Sequence, residues 1–320
     1  MRKTIVRRGL AGFAAVAAAS ALTVLSAGTG HAAAVGSPTG YGAGTTGGGN
    51  GTTVTVTSGS TLVTAMQDST TRVVQVQGML TISGMQKVAS NKTLIGLGTG
   101  SGITGGGLNL SGVTNVIIQH LNFRNSSDDL INVQESATKI WIDHNDFGTS
   151  SDGALDIKRG SDFITVSWNK FHDHDKTMLL GHDDGNASQD RGHLRVSYHH
   201  NWFAGTNQRH PRVRFGNTVH VYNNYYQGVT SYGVASTMEA GVLVEGNYFE
   251  NTNRACDLGQ GDSPAGKLVA RNNTLVNSGA CANTGSTTGT GSGLNSLPYS
   301  ASLDPSANVK SIVTGGAGVR

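Results

Sequence analysis

The chain's 320 residues are 37% hydrophobic and only 13% charged, with 46 glycines, two cysteines and a formal net charge of +3. Residues 1–34 hold four of the 23 basic side chains and none of the 20 acidic ones, so the rest of the chain carries −1. Global charge therefore gives no case for a nucleic-acid partner.

In chain order, Arg2, Lys3, Arg7 and Arg8 precede an apolar run from Leu10 to about Leu25, and Ala32-Ala33-Ala34 offers a small-residue cleavage site. Residues 1–34 read as a secretory signal peptide, which makes the protein extracellular. The run is too short and alanine-rich for a membrane anchor. Arg7-Arg8 leaves both the general and the twin-arginine export routes open. Residues 35–52, rich in Gly and Thr, read as a flexible lead-in. Ser60 to Gln67 predicts a short helix with a Ser or Thr cap, covering the open end of the fold that follows.

From residue 53 to residue 320 the chain reads as one all-β domain. Seven short apolar strands centre on Ile117, Trp141, Thr165, Arg195, His220, Leu243 and Val269, at gaps of 24, 24, 30, 25, 23 and 26 residues. An Asn-x-aromatic unit usually follows each strand, as in Asn145-Asp146-Phe147, Asn169-Lys170-Phe171, Asn201-Trp202-Phe203, Asn224-Tyr225-Tyr226 and Asn247-Tyr248-Phe249. Such a period marks a solenoid. Its Val, Ile, Thr, Asn and Gly disfavour helical repeats, and the leucine ladder of leucine-rich repeats is missing. A right-handed, single-stranded parallel β-helix fits. Equivalent asparagines would lie about 4.8 Å apart in successive coils, close enough for an amide ladder, with the aromatics stacked inside.

Cys256 and Cys281, about one coil apart, predict a disulfide between adjacent coils, with two buried thiols as the alternative. Residues 283–293 read as a surface loop.

The ladder also supplies a register. Seven or eight residues beyond Leu121, Asn145, Asn169 and Asn201 stand Asp129, Asp152, Lys176 and Arg209, a charged stripe across four coils. Strand alternation turns Asp156 outward, and a bend at Gly153 brings it towards Asp129 and Asp152. Three convergent carboxylates suit calcium. Arg212 and Arg214 share a strand face beside Arg209, and nine of the 19 basic residues after the signal peptide fall between Lys158 and Arg214. Such a cluster is a receptor for carboxylates. His172-Asp173-His174-Asp175 and His199-His200 lack a tetrahedral zinc set. Gly181-His182-Asp183-Asp184 is similar to the aspartates of glycoside hydrolases on the same fold, without their basic motif.

Taken together, Asp129-Leu130-Ile131, Trp141-Ile142-Asp143-His144, the run Asp152 to Lys158, His174-Asp175-Lys176-Thr177, the run Arg209 to Gly216 and the run Val219 to Asn224 resemble pectate lyases of polysaccharide lyase family 1. The likeness runs from about residue 53 to residue 275. It implies a calcium-dependent lyase acting on de-esterified polygalacturonate, with Asp129, Asp152 and Asp156 as calcium ligands. Arg209 would be the base, and Lys176 and Arg214, with Arg212 beside them, would bind substrate carboxylates. Ser127 departs from the pattern, since some relatives carry a further acidic ligand there. A guanidinium releases its proton only above about 12, and neighbouring cations oppose its charge, so activity is expected to favour alkaline pH. Competing expectations are a pectin lyase, a polygalacturonase and a β-helix that binds acidic polysaccharide without cutting it. The protein is expected to act as a monomer, with no membrane partner.

Overall fold

The computed structural model describes Met1, residues 36–284 and residues 294–320. The expected signal peptide, beyond Met1, and residues 285–293 of the expected surface loop lie outside the described residues. Ten parallel strands stack in chain order in one sheet: Thr52–Val56, Arg72–Val76, Lys92–Gly96, Thr114–Gln119, Thr138–Asp143, Asp162–Ser167, Val196–His199, Asn217–Tyr222, Gly241–Glu245 and Lys267–Arg271. Each belongs to one turn of the expected parallel β-helix.

Two further faces complete each coil. The long strand Gly102–Ser111 belongs to both, pairing Asn122–Arg124 through its first half and Ile131–Gln134 through its second. From there a second face continues through Asp146–Phe147, Lys170–His172, Trp202–Ala204, Tyr225–Gln227, Tyr248–Glu250 and Thr274–Val276. The third face continues through Leu155–Ile157, Leu179–Leu180, Arg212–Arg214, Val234–Thr237 and Cys256–Leu258.

The bend between the first two faces explains the Asn-x-aromatic units. Each ladder residue follows a left-handed residue: His120, His144, Trp168, His200, Asn223, Gly246 and Asn272 have φ between 50° and 66°. That conformation reverses the chain within one residue and aims the next side chain inward. Asn145, Asn169, Asn201, Asn224 and Asn247 are fully buried, and each side-chain amide donates to the next Oδ1 at 2.9–3.1 Å, ending on Asn273. Each amide also donates to a strand carbonyl of the coil before, so no polar group in the row is left unpaired. Two residues on, Phe123, Phe147, Phe171, Phe203, Tyr226 and Phe249 stack with ring centroids 4.3–5.3 Å apart.

Three details differ from the sequence reading. The true column of the first sheet runs Thr165, Ser197, His220, so Arg195 is two residues out of register. The coil before it is lengthened by an insertion holding a short helix, Ala187–Asp190, and Leu194 and Val196 made Arg195 look central. The same column extends back through Thr93, Val73 and Thr53, three coils that carry no Asn-x-aromatic unit. Residues 36–51, expected as a flexible lead-in, lie as a strap across the outward side of the first sheet. Tyr41 Oη donates to the Thr218 carbonyl, Gly42 N to Thr165 Oγ1, Gly48 N to Thr93 Oγ1, and the amides of Thr46 and Gly47 to Asn115. A Cβ on Gly47 would stand 2.2 Å from Thr93 Oγ1, so glycine permits this approach.

The helix at the start of the solenoid, α1 (Gly59–Gln67), is capped by Ser58 and buries Leu62 and Met66. A further, unforeseen helix, Ser306–Gly316, buries Val309 and Val313 against Tyr225, Trp202 and Tyr248 on the second face. A disulfide joins Cys256 to Cys281 in the next coil, as the spacing predicted.

The ladder generates a first prediction. Asn201→Ala removes two acceptor and two donor contacts, and strands the buried amide of Asn169. The expected cost is on the order of 3–5 kcal/mol by denaturant unfolding, against about 1 kcal/mol for Asn273→Ala at the open end. A second concerns pH. Burial holds His199 and His220 below the ordinary imidazole value. The unfolded chain binds these protons below about pH 6.5 and the folded chain does not, so stability should fall as pH drops through that value. Melting temperature should decline from roughly pH 7 to pH 5, and His220→Gln should flatten that decline.

Candidate active site

The chain turns from the second face to the third through a bend of variable length, and the charged residues gather there. Asp128 and Asp129 precede the strand Ile131–Gln134; Asp152 precedes Leu155–Ile157, which carries Asp156. Lys176 precedes Leu179–Leu180, and Arg209 precedes Arg212–Arg214. Inward side chains of these strands, such as Ile131, Leu155, Ile157, Leu180 and Val213, are buried in the core, which leaves the alternate positions facing out.

Register refines the expected stripe. Ser126 pairs with Ser150 and Ile131 with Leu155, both at an offset of 24 residues. Asp152 therefore lies beside Asp128, while Asp129 lies beside Gly153. Lys176 is flanked by Gly153 on one side and Gln208 on the other. The counted stripe was one residue out of step at Asp152 and Arg209, because the column lies eight residues beyond Leu121 and Asn145 but seven beyond Asn169 and Asn201.

Despite that slip the side chains converge. Asp128, Asp129 and Asp152 each place a carboxylate oxygen within 4.8 Å of the others. Gly153 N donates to Asp129 Oδ1 at 2.9 Å, and Leu179 N donates to Asp156 Oδ1 at 3.1 Å. A Cβ on Gly153 would lie 2.8 Å from Asp129 Oδ1 and 2.6 Å from Asp156 Oδ1, so both carboxylates close on this glycine. Burial, reinforced by Asp129, pushes the Asp156 carboxyl up to about 8, and burial also raises Asp129. Ionising both together is thus disfavoured, which a bound cation would relieve, and a set of carboxylate oxygens suits a hard cation such as calcium.

The cations stand on the next coils. Lys176 Nζ lies 3.1 Å from Asp152 Oδ1, with both side chains open to solvent. Arg209 has a left-handed backbone, φ 65°. Its carbonyl accepts from Met178 N while His210 N donates to the Gly233 carbonyl. The neighbouring His210 ring is buried between Thr177 Oγ1, Thr206 Oγ1 and the Tyr232 carbonyl, and burial lowers its pKa to about 3. A neutral, fully bonded imidazole thus anchors the bend that carries Arg209. Arg214 is bonded to Asp184 and to the Gly181 carbonyl, and Arg212 donates to Ser263 Oγ and the Gln260 carbonyl. Arg212 is thus engaged within the protein.

Sequence reasoning did not assign Lys158, whose Nζ lies 3.7 Å from Asp129 Oδ2. Its place two residues after Asp156 on a strand was the available signal. Asp128 needed the corrected register. Asp184 was noticed only within the run Gly181-His182-Asp183-Asp184, and its contact with Ser263, 79 residues away, left no signal in the sequence. Of the other motifs, His172 turns to Asp146 and Asp173, and His199 and His200 bond to each other on the far side of the solenoid, His199 under the strap residue Thr39.

Comparison with known proteins gives a consistent result. The family model described as pectate lyase matches residues 10–320. A pectate trisaccharide-lyase of Bacillus licheniformis is 36% identical over 295 residues, 86% of this chain and 83% of that one. A probable pectate lyase A of Aspergillus fumigatus is 37% identical over 264 residues, 79% of this chain and 78% of that one. Among solved structures, a pectate lyase from Bacillus sp. N165 in complex with trigalacturonate superposes with a TM-score of 0.74 at 30% identity, over 88% of this chain and 98% of that one. Pectate lyase II from Xanthomonas campestris gives 0.73 at 27% identity, over the same shares. Likeness that spans nearly the whole chain in sequence and recurs in the path of the backbone has one reading: the chain belongs to the pectate lyase family.

Proposed function

We propose that this polysaccharide lyase is a secreted, calcium-dependent pectate lyase that cuts de-esterified homogalacturonan by β-elimination, releasing unsaturated oligogalacturonides. The observation that carries this reading is the pairing of a carboxylate cluster, buried at Asp129 and Asp156, with cations on the adjoining coils. Asp129, Asp152 and Asp156 would hold calcium, with Asp128 in reach. When bound, that ion supplies positive charge for a substrate carboxylate. A pocket of three or more carboxylates would repel an anionic polymer without such a counter-ion, which argues against the calcium-free pectin lyase. Export is supported by the leader-like N-terminus and by the disulfide, and a monomer suffices because every proposed group comes from one chain.

The chemistry follows from acidity. The ring carbon next to the uronate carboxylate carries a proton that leaves only if the carboxylate can take up the developing charge. Lys176 and Arg214 would donate hydrogen bonds to that carboxylate as it becomes enolate-like. Arg209 would take the proton. The carbon–hydrogen electron pair then forms the new ring double bond, the neighbouring carbon–oxygen bond breaks, and the departing glycosidic oxygen takes a proton from solvent. No water is consumed, which separates this reaction from hydrolysis by a polygalacturonase.

Ultraviolet absorbance of polygalacturonate at alkaline pH is expected to rise with added calcium and to stop with excess chelator. A rise indifferent to chelator, stronger on esterified pectin, would mean a pectin lyase. Reducing ends without absorbance would mean hydrolysis, and binding without either product would mean a carbohydrate-binding β-helix. Arg209→Lys is expected to lower kcat by about 100- to 1,000-fold with KM little changed. Turnover near that of the wild type, with binding intact, would remove Arg209 from the role of base.

A further inference from the structure

Arg214 is fastened at two of its three guanidinium nitrogens. Its Nε donates to Asp184 Oδ1, and its Nη1 donates to the Gly181 carbonyl at 3.0 Å. Nη2 has no protein partner among the described residues. Gly181 is the register neighbour of Arg214, since Leu180 pairs with Val213. A Cβ on Gly181 would stand 2.9 Å from Arg214 Cβ, so a larger residue there would displace the arginine stem.

The carboxylate that holds Nε is itself held. Both oxygens of Asp184 accept from Ser263 Oγ at 2.7 Å, and Ser263 Oγ accepts from Arg212 Nη2 at 2.8 Å. Arg212 Nη2 also donates to the Gln260 carbonyl at 2.9 Å, in the loop that carries Ser263. Burial alone would raise the Asp184 carboxyl, but the bonds from Arg214 and Ser263 outweigh it and keep the group ionised. A clasp thus ties the insertion after Leu180, the strand Arg212–Arg214 and the loop before Lys267. Within it, Asp184 and Arg214 form the direct ion pair.

Resting on the reading that Arg214 receives a substrate carboxylate, we propose that Asp184 is the positioning residue that aims it. With Nε and one Nη1 hydrogen engaged, three of the five guanidinium hydrogens remain, two of them on Nη2. The arginine is therefore held in a fixed rotamer, with one edge of its guanidinium uncommitted, before substrate arrives. Preorganisation of this kind removes the entropy cost of ordering a long side chain at the moment of binding. An uncommitted Arg214 would retain its charge but lose its direction.

The test compares Asp184→Ala, Asp184→Asn, Ser263→Ala and Arg214→Lys with the wild type, reading KM and kcat on polygalacturonate together with melting temperature. Asp184→Ala is expected to raise KM about tenfold, with a smaller fall in kcat and a melting temperature within about 2 °C of wild type. Asp184→Asn keeps an acceptor for Nε and should stand between. In the Arg214→Lys background, which has no Nε donor in that geometry, Asp184→Ala should cost less than about twofold more. The proposal is overturned if Asp184→Ala leaves KM unchanged, or if its cost is the same in both backgrounds. It is also overturned if Ser263→Ala matches Asp184→Ala, since the effect would then run through the loop. Should Asp184→Ala fail to fold, Asp184→Asn alone decides: a KM equal to wild type overturns the proposal, and a raised KM lost in the Arg214→Lys background supports it. A wild type that gives no unsaturated product overturns the functional reading itself, whereas an active wild type with indifferent variants overturns only the role of Asp184.

Discussion

Everything in this molecule depends on the spacing between parallel strands, roughly 4.8 Å from one coil to the next. A group that repeats at the same point of each coil meets its own kind at hydrogen-bonding or stacking distance. The buried asparagines exploit this directly, each amide closing on the next. Because every coil must return to the same bend to continue the row, the ladder holds the path of the chain at one corner. Loops of different length can then leave from the other corners without upsetting it. The insertion containing Ala187–Asp190 lengthens one coil, yet Asn169 still meets Asn201.

The same spacing that makes the ladder stable makes the site costly. Side chains at the entrance to the third face are brought as close together as the asparagines are, but these carry charge. The acidic residues fall on two adjacent coils and the cations on the next two, so the row changes sign along the solenoid. Within the acidic half, Asp129 and Asp156 lie buried, and although Lys158 and Arg209 oppose the effect of burial, the Asp156 carboxyl moves up to about 8. This is a local conflict of buried charge, the usual mark of a site kept for binding.

The fold was readable in the sequence because its signals are local and repeated. An Asn with an aromatic two residues later needs no knowledge of the rest of the chain, and five such rings do stack, with Phe123 at their head. Where that signal was missing the reading stopped, which is why the coils at Thr53, Val73 and Thr93 went unseen. Charged residues were found as a group, but their register slipped by one, since counting along a coil ignores the length of its bend. Lys158 was within reach of simple alternation. The clasp of Asp184, Arg214 and Ser263 was not, because contacts between an insertion and a loop three coils away leave no periodic trace. The strap was misread for a related reason: glycine and threonine suggest flexibility in isolation, whereas here they allow close approach to a sheet.

Repeat proteins with open ends commonly lose their outermost turns first, each coil being held only by its neighbour. Among the described residues, the segments before and after the solenoid both lie against its middle. The strap starts beside Thr165, Ser197 and Thr218 before running to the first coil. The terminal segment returns from the last coil to place Tyr299 on Ser197 and His220, with the Tyr41 and Tyr299 rings 5.1 Å apart. To peel either end, a thermal fluctuation must also release a fastening made near the centre, so the outer coils are coupled to the inner ones. A stack that would otherwise unzip in steps is thereby drawn towards a single cooperative transition.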